Sequence, residues 1–213
     1  AGAGSKVLAL RSVEFARNHN VPIQVRSSFT WEPGTWVTSQ EPSMEDPIIS
    51  GVVTDVSEAK VTVRKVPDKP GVSAGLFEPL AQANVNVDMI VQNTSEDGTT
   101  DISFTVPKSD MRVAQSIVDD VAKKIGAAGV VNDDAIAKIS LVGAGMKTSP
   151  GIAAKMFRTL AENDVNIQMI STSTIRISVV VGAADLERAA RSLHTAFGLD
   201  SGQSYSAPLP ERK

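Results

Sequence analysis

Residues 70–90, PGVSAGLFEPLAQANVNVDMI, return at residues 150–170 as PGIAAKMFRTLAENDVNIQMI, an offset of 80 with ten identities in twenty-one positions. The identities include Pro70/Pro150, Gly71/Gly151, Phe77/Phe157, Leu80/Leu160, Val85/Val165, Asn86/Asn166 and Met89/Met169, so turn, core and loop positions recur together. Self-similarity at a fixed offset marks one folding unit used twice.

Outward from this stretch each copy shows the same order of elements. Lys60–Val66 and Lys138–Val142 alternate as half-buried strands do, and a Pro-Gly turn follows each. A helix comes next, with Leu76, Phe77, Leu80 and Ala83 on one face, matched by Met156, Phe157 and Leu160. Asn84 and Asn163 are its expected terminators, and Pro79 inside the first copy predicts a kink, since an interior proline costs about 3 kcal/mol. Strands are expected at Val85–Val91 and Asp101–Val106, with a hairpin over Ser95–Gly98, and again at Val165–Ser171 and Ile175–Val181. A second helix carries Val113, Ile117, Val121 and Ile125 in copy one and Leu186, Ala190, Leu193 and Phe197 in copy two. Copy one then gains a strand at Gly129–Asn132; copy two has no counterpart.

This pattern predicts an α+β protein of two ferredoxin-like βαββαβ modules, with antiparallel sheets and helices on one face. An open sheet edge is costly, so the strand-like segment Pro22–Ser28 is expected to complete the second sheet. The second module then comprises residues 1–29 and 135–200, with 30–47 as linker, 48–134 as an inserted module and 201–213 as a tail.

Composition narrows the function. The net charge of −3 and nine aromatic side chains in 213 residues offer neither field nor stacking surface for nucleic acid. The absence of cysteine excludes disulfides and thiolate metal sites. No apolar run approaches the roughly 20 residues that span a bilayer, and Ala1–Ser5 lacks the order of a signal peptide; a cytoplasmic protein with no membrane partner is expected. His19 and His194 lie apart from any second ligand, Gly143–Lys147 is too short for a phosphate loop, and the acidic pairs Asp119-Asp120 and Asp133-Asp134 read as solvated positions. No catalytic residue, metal ligand or cofactor is expected.

The turn before each first helix stands out instead, at Pro67–Gly71 and Met146–Gly151. Free N–H groups and the positive end of the helix dipole suit a carboxylate there. Asp68 could receive an α-ammonium, and Asn86, Asp88 and Gln92 share one face if the following segment is a strand. Together they suit a free amino acid.

At these residues the chain resembles the regulatory region of aspartate kinase, in particular the small β subunit of the actinobacterial type. The likeness is carried by Pro22–Phe29, Asp68–Gly71, Asn86–Met89 with Gln92-Asn93, Glu96–Asp101, Leu141–Lys147, Ile170–Ser173 and Ile175–Ser178. It implies two ACT domains, a homodimer formed by side-by-side sheets, a catalytic α chain as partner, and feedback inhibition of aspartate phosphorylation by threonine, alone or with lysine. The kinase's own Lys-Phe-Gly-Gly motif does not occur, so the resemblance implies regulation rather than turnover. Carried over residue by residue, the effector site comprises Asp68, Gly71, Ser73, Val85, Asp88, Gln92 and Ser95, with Asn166 and Ile167 from the second module. A lysine site would involve Ala153, Ser173 and Thr174; Thr174 stands where the family commonly has an acid, so a weak or absent lysine response is expected. The alternative reading is another two-ACT amino-acid sensor with a different partner.

Overall fold

The structure, a computed structural model, describes residues 7–38, 49–93, 98–143 and 151–201. The chain divides into two units, residues 1–47 and 48–213. In the first, helix α1 (Leu10–Asn18) is followed by strands β1 (Ile23–Val25) and β2 (Thr35–Val37), which pair antiparallel with Ile23 opposite Val37. Arg26 closes the connection by donating from its guanidinium to the carbonyls of Trp31 and Glu32. Gly34 is required at the return: its φ is 70°, and a Cβ would fall 2.1 Å from the Val25 carbonyl oxygen.

In the second unit, β3 (Gly51–Asp55) precedes β4 (Glu58–Pro67), α2 (Val72–Gln82), β5 (Ile90–Gln92), β6 (Thr99–Pro107), α3 (Met111–Ile125) and β7 (Gly129–Asp133). The chain continues as β8 (Ile136–Val142), α4 (Ile152–Glu162), β9 (Met169–Thr172), β10 (Arg176–Gly182) and α5 (Leu186–Ala196). Two four-stranded antiparallel sheets result, in the orders β5-β6-β4-β7 and β3-β8-β10-β9. Module one is β4 to β7, the full βαββαβ pattern.

The strand that completes the second sheet corrects the sequence reading. It is β3, with Gly51 opposite Val142 and Asp55 opposite Lys138, whereas residues 23–25 pair with β2. Only Val56 and Ser57 separate β3 from β4, a spacing that usually makes a hairpin. Here the Asp55 carboxylate accepts from both the N–H and the hydroxyl of Ser57, at 2.8 and 2.6 Å. This local turn stands where the chain leaves one sheet for the other. Module one therefore lies between β3 and the rest of module two along the chain.

Each module has its own core. Val61, Val63, Leu76, Leu80, Ile102 and Phe104 are fully buried in module one, with Phe77 edge-on to Phe104 at 5.2 Å. Ile139, Leu141, Met156, Leu160, Leu193 and Phe197 fill module two. The second-helix stripe of module one is displaced from expectation: Ala114, Val118, Val121 and Ala122 are buried, Ile117 and Ile125 pack at the flank, and Val113 is 46% exposed. Spacing by four drifts off a helix face, and small residues let α3 approach the sheet.

Helix ends follow the repeat. Asn84 (φ 57°) and Asp164 (φ 53°) take the left-handed conformation just past each helix, and Asn163, the expected terminator, is the C-cap of α4, its side-chain amide donating to Thr159 O. Val85 N–H then bonds to Leu80 O and Val165 N–H to Leu160 O, at 2.9 and 3.0 Å, the closing bond of a helix C-terminus. Helix α2 runs without interruption through Pro79, which leaves the Gly75 carbonyl without its usual i+4 donor. At the matching place in α4, Thr159 supplies an N–H and also donates its hydroxyl to Lys155 O at 2.9 Å. Pro79→Ala is therefore expected to stabilise the chain by about 1–3 kcal/mol, the lost helix penalty less the gain in unfolded-chain entropy. Urea unfolding measures this directly.

Val85–Met89 does not join the ladder as expected; β5 begins at Ile90. Asp88 N–H bonds to Thr105 O at 3.2 Å, and Met89 N–H to the Thr105 hydroxyl at 3.2 Å, an irregular approach to β6.

Candidate functional site

The two sheets of the second unit cover one another. Strand β4 lies against β8 and β5 against β9, and Met89, Ile136, Met169 and Val180 form a small apolar cluster between the modules, with Val91 beside it. That is why β8 is buried along almost its whole length: Ala137, Ile139 and Leu141 face their own helices, while Ile136, Lys138 and Ser140 occupy the alternate face.

That second face is polar at its centre. Ser140 bonds to Ser178 at 2.8 Å, and Thr62 to Ser103 at 2.9 Å in the other module. Lys138 is 8% exposed, and its ammonium donates to Asp88 Oδ2 at 2.6 Å and to Glu58. Asp55 stands 3.4 Å away, and Arg176 reaches Asp88 Oδ1 at 3.9 Å. Burial works against the Lys138 charge, but its hydrogen bonds to Asp88 and Glu58 and the charges of those carboxylates outweigh it and hold the ammonium above its ordinary value. Burial likewise opposes ionisation of Asp88, yet the Lys138 bond and charge, with Arg176, hold its carboxyl below the usual range. Lys60 makes the reciprocal contact, donating to Gln168, with Asp133 at 3.9 Å.

The effector residues expected from sequence divide into groups. Gly71 caps α2 in a left-handed conformation (φ 90°), as Gly151 caps α4 (φ 98°). On the first turn of α2, the Ser73 hydroxyl donates to Gln92 Oε1 of β5 at 3.0 Å, so two expected ligands meet. Asp68 is exposed just before them, its N–H bonded to Gly98 O at 3.0 Å. Val85 packs in the core of module one and is 6% exposed. Asp88 is occupied by module two. Asn166 is exposed and Ile167 packs on the core of module two; no hydrogen bond or ion pair among the described residues joins either to Asp68, Ser73 or Gln92. Ser95 and Met146–Pro150 lie outside the described residues.

At the second candidate site, Ser173 N–H bonds to Arg176 O at 2.7 Å in the β9-β10 turn, Thr174 is exposed, and Ala153 packs on the core. His194 is not isolated as expected: Asp200 lies 2.6 Å from its Nδ1. No group of three or more histidine or carboxylate side chains among the described residues is arranged to hold a metal ion, and no helix among them is long and apolar enough to cross a membrane. The inter-module residues Lys138, Glu58 and Asp55 were missed by sequence reasoning. At the repeat's offset of 80 Lys60 falls on Ser140; only the strand pairing, with its register shift in β4, sets Lys60 and Lys138 at equivalent places.

The ACT domain family matches residues 61–121 and 139–197, which is modules one and two. The fold and this match define a tandem ACT-domain protein. An aspartate kinase of Pseudomonas fluorescens is 52% identical over 202 residues, covering 94% of this chain and 49% of the relative. Among solved structures, one of aspartokinase alpha and beta subunits is similar with a TM-score of 0.67 and 48% identity, covering 70% of this chain and 99% of that one. The ligand-free regulatory subunit of aspartate kinase from Thermus thermophilus is similar with a TM-score of 0.68 and 37% identity, at the same coverages. The chain belongs to the ACT-domain regulatory family of the aspartate kinases. It spans about half the length of the curated relative it matches.

Proposed function

We propose that this chain provides feedback control of aspartate phosphorylation, binding threonine in module one and acting on a catalytic aspartate kinase chain. The observation that supports it most is the match over 99% of a solved aspartokinase subunit chain at 48% identity. In this reading Asp68 meets the α-ammonium, the amides of the first turn of α2 meet the α-carboxylate, and the Ser73–Gln92 pair sets the polar wall that receives the hydroxyl. The corresponding positions in module two are Ala153 and Thr172, so the hydrogen-bonded pair is not repeated there.

In this reading Asn166 and Ile167 reach the pocket from module two of a second copy. The edge strands fit such a dimer: β5 and β9 each end a sheet and present Ile90 and Ile170, 51% and 43% exposed. Pairing of sheet edges would satisfy their open backbone groups.

Charge-assisted hydrogen bonds contribute about 1.5–3 kcal/mol, so Asp68→Ala is expected to weaken threonine inhibition by on the order of 10- to 100-fold when the chain is assayed with its catalytic chain. Unchanged inhibition by threonine in that variant would remove Asp68 from the site. Lysine alone is expected to inhibit weakly or not at all, because Thr174 offers no charge to a side-chain ammonium.

A further inference from the structure

The apolar contact between the modules is small for two sheets that cover one another, and its centre is polar. Met89, Ile136, Met169 and Val180 form it, beside the hydroxyl pairs Thr62–Ser103 and Ser140–Ser178. Hydroxyl pairs of this kind do not favour one sheet orientation over another as interlocked side chains do. A directional constraint comes instead from two lysines set at equivalent places by the strand pairing, and they are unequal. Lys60 meets the neutral amide of Gln168, with Asp133 at 3.9 Å. Lys138 is buried and meets Asp88 at 2.6 Å and Glu58 from module one, with Asp55 of β3 at 3.4 Å; Arg176 of β10 faces the same Asp88 carboxylate. Buried charged contacts fix geometry, since a misplaced partner leaves an uncompensated charge in a low dielectric. The cluster is also incompletely satisfied, because Glu58 Oε2 is buried without a hydrogen-bond partner.

We propose that Lys138 is the positioning residue that keys module two onto module one, and that breaking its contact with Asp88 lets the two sheets take a second relative orientation. Asp88 lies between Asn86 and Gln92 on the segment leading from α2 into β5. If the effector reading of module one is correct, that segment carries the consequence to the pocket; the key itself does not depend on that reading.

The chain contains no cysteine, so spin labels can be placed without a background. Gln115→Cys on α3 and Glu187→Cys on α5, both exposed helical positions, report the separation of the modules by pulsed electron spin resonance in the full chain. A single narrow distance is expected in the otherwise unaltered chain. Lys138→Met is expected to broaden or displace that distance while circular dichroism shows both modules folded, and Lys60→Met to leave it narrow. Asp88→Asn, which keeps shape and removes charge, reads the same contact from its other side and is expected to match Lys138→Met; it decides the outcome if that variant does not fold. A narrow, unmoved distance in folded Lys138→Met or in Asp88→Asn would overturn the proposal, and so would equal broadening in Lys60→Met.

Discussion

Truncating Phe104 to alanine is expected to lower the unfolding free energy of module one by about 3–5 kcal/mol, the cost of removing a fully buried aromatic from a packed core. Phe104 is wholly buried on β6, opposite Val61 of β4 on one side and Ile90 of β5 on the other. It meets the Phe77 ring of α2 edge-on at 5.2 Å and 73°, so its loss also removes an aromatic contact. The matching position of module two is Val179, so module one leans on this pair in a way that module two does not. Native-state hydrogen exchange should show the loss in the amides of β4, β5 and β6. A loss below about 1 kcal/mol would mean that the site collapses around the vacancy or that Phe104 is not central to this core.

The second large effect is expected at Lys138. Removing one partner from a buried ionic cluster costs about 3–5 kcal/mol. Asp55 and Asp88 are 35% and 33% exposed and partly screened, which reduces the expected cost of Lys138→Met to roughly 2–3 kcal/mol at neutral pH. The pH dependence has a definite sign. Burial opposes the charge on Asp55 and Asp88, but their hydrogen bonds and the Lys138 charge prevail and hold both carboxyls below the ordinary 3.8. Their contribution is therefore complete above that value and is lost as pH falls through the folded pKa, below 3.8. Lys138 is held above its ordinary 10.5 against the cost of burial, so its contribution is complete below 10.5 and fades only as pH rises beyond it. The gap between the unaltered chain and Lys138→Met should thus be widest between about pH 5 and 10 and should narrow as pH falls below 3.8. Urea midpoints across that range give the test; a gap that stayed constant into acid would show that methionine is tolerated or rejected for packing and not for charge.

Much of the second unit was legible because the repeat aligned signals that are weak singly. Gly71 and Gly151 both stand before a helix, and Leu76, Leu80, Met156 and Leu160 all proved to be core. The failures have physical causes. Val85–Met89 alternates as a strand does, yet Val85 and Val87 pack on the core of module one, and the regular ladder begins only at Ile90. Strand β3 was overlooked because two residues separate it from β4, and nothing in the sequence announces that the Asp55–Ser57 turn sends neighbouring strands to different sheets. Lys138 reads as the solvent side of a half-buried strand; only the second sheet, placed over it by the tertiary fold, makes it an inter-module contact. The candidate site shows the same division. The Ser73 hydroxyl and Gln92 Oε1, nineteen residues apart in sequence, come within 3.0 Å, while the Asp88 carboxylate bonds to Lys138 of module two.

Whether module one binds threonine is decided by calorimetric titration of the purified chain with threonine. Saturable binding with one site per chain, and no comparable heat from lysine, is the expected result. The absence of threonine binding by the folded chain would rule threonine out as the effector, leaving the tandem ACT fold in place without that ligand.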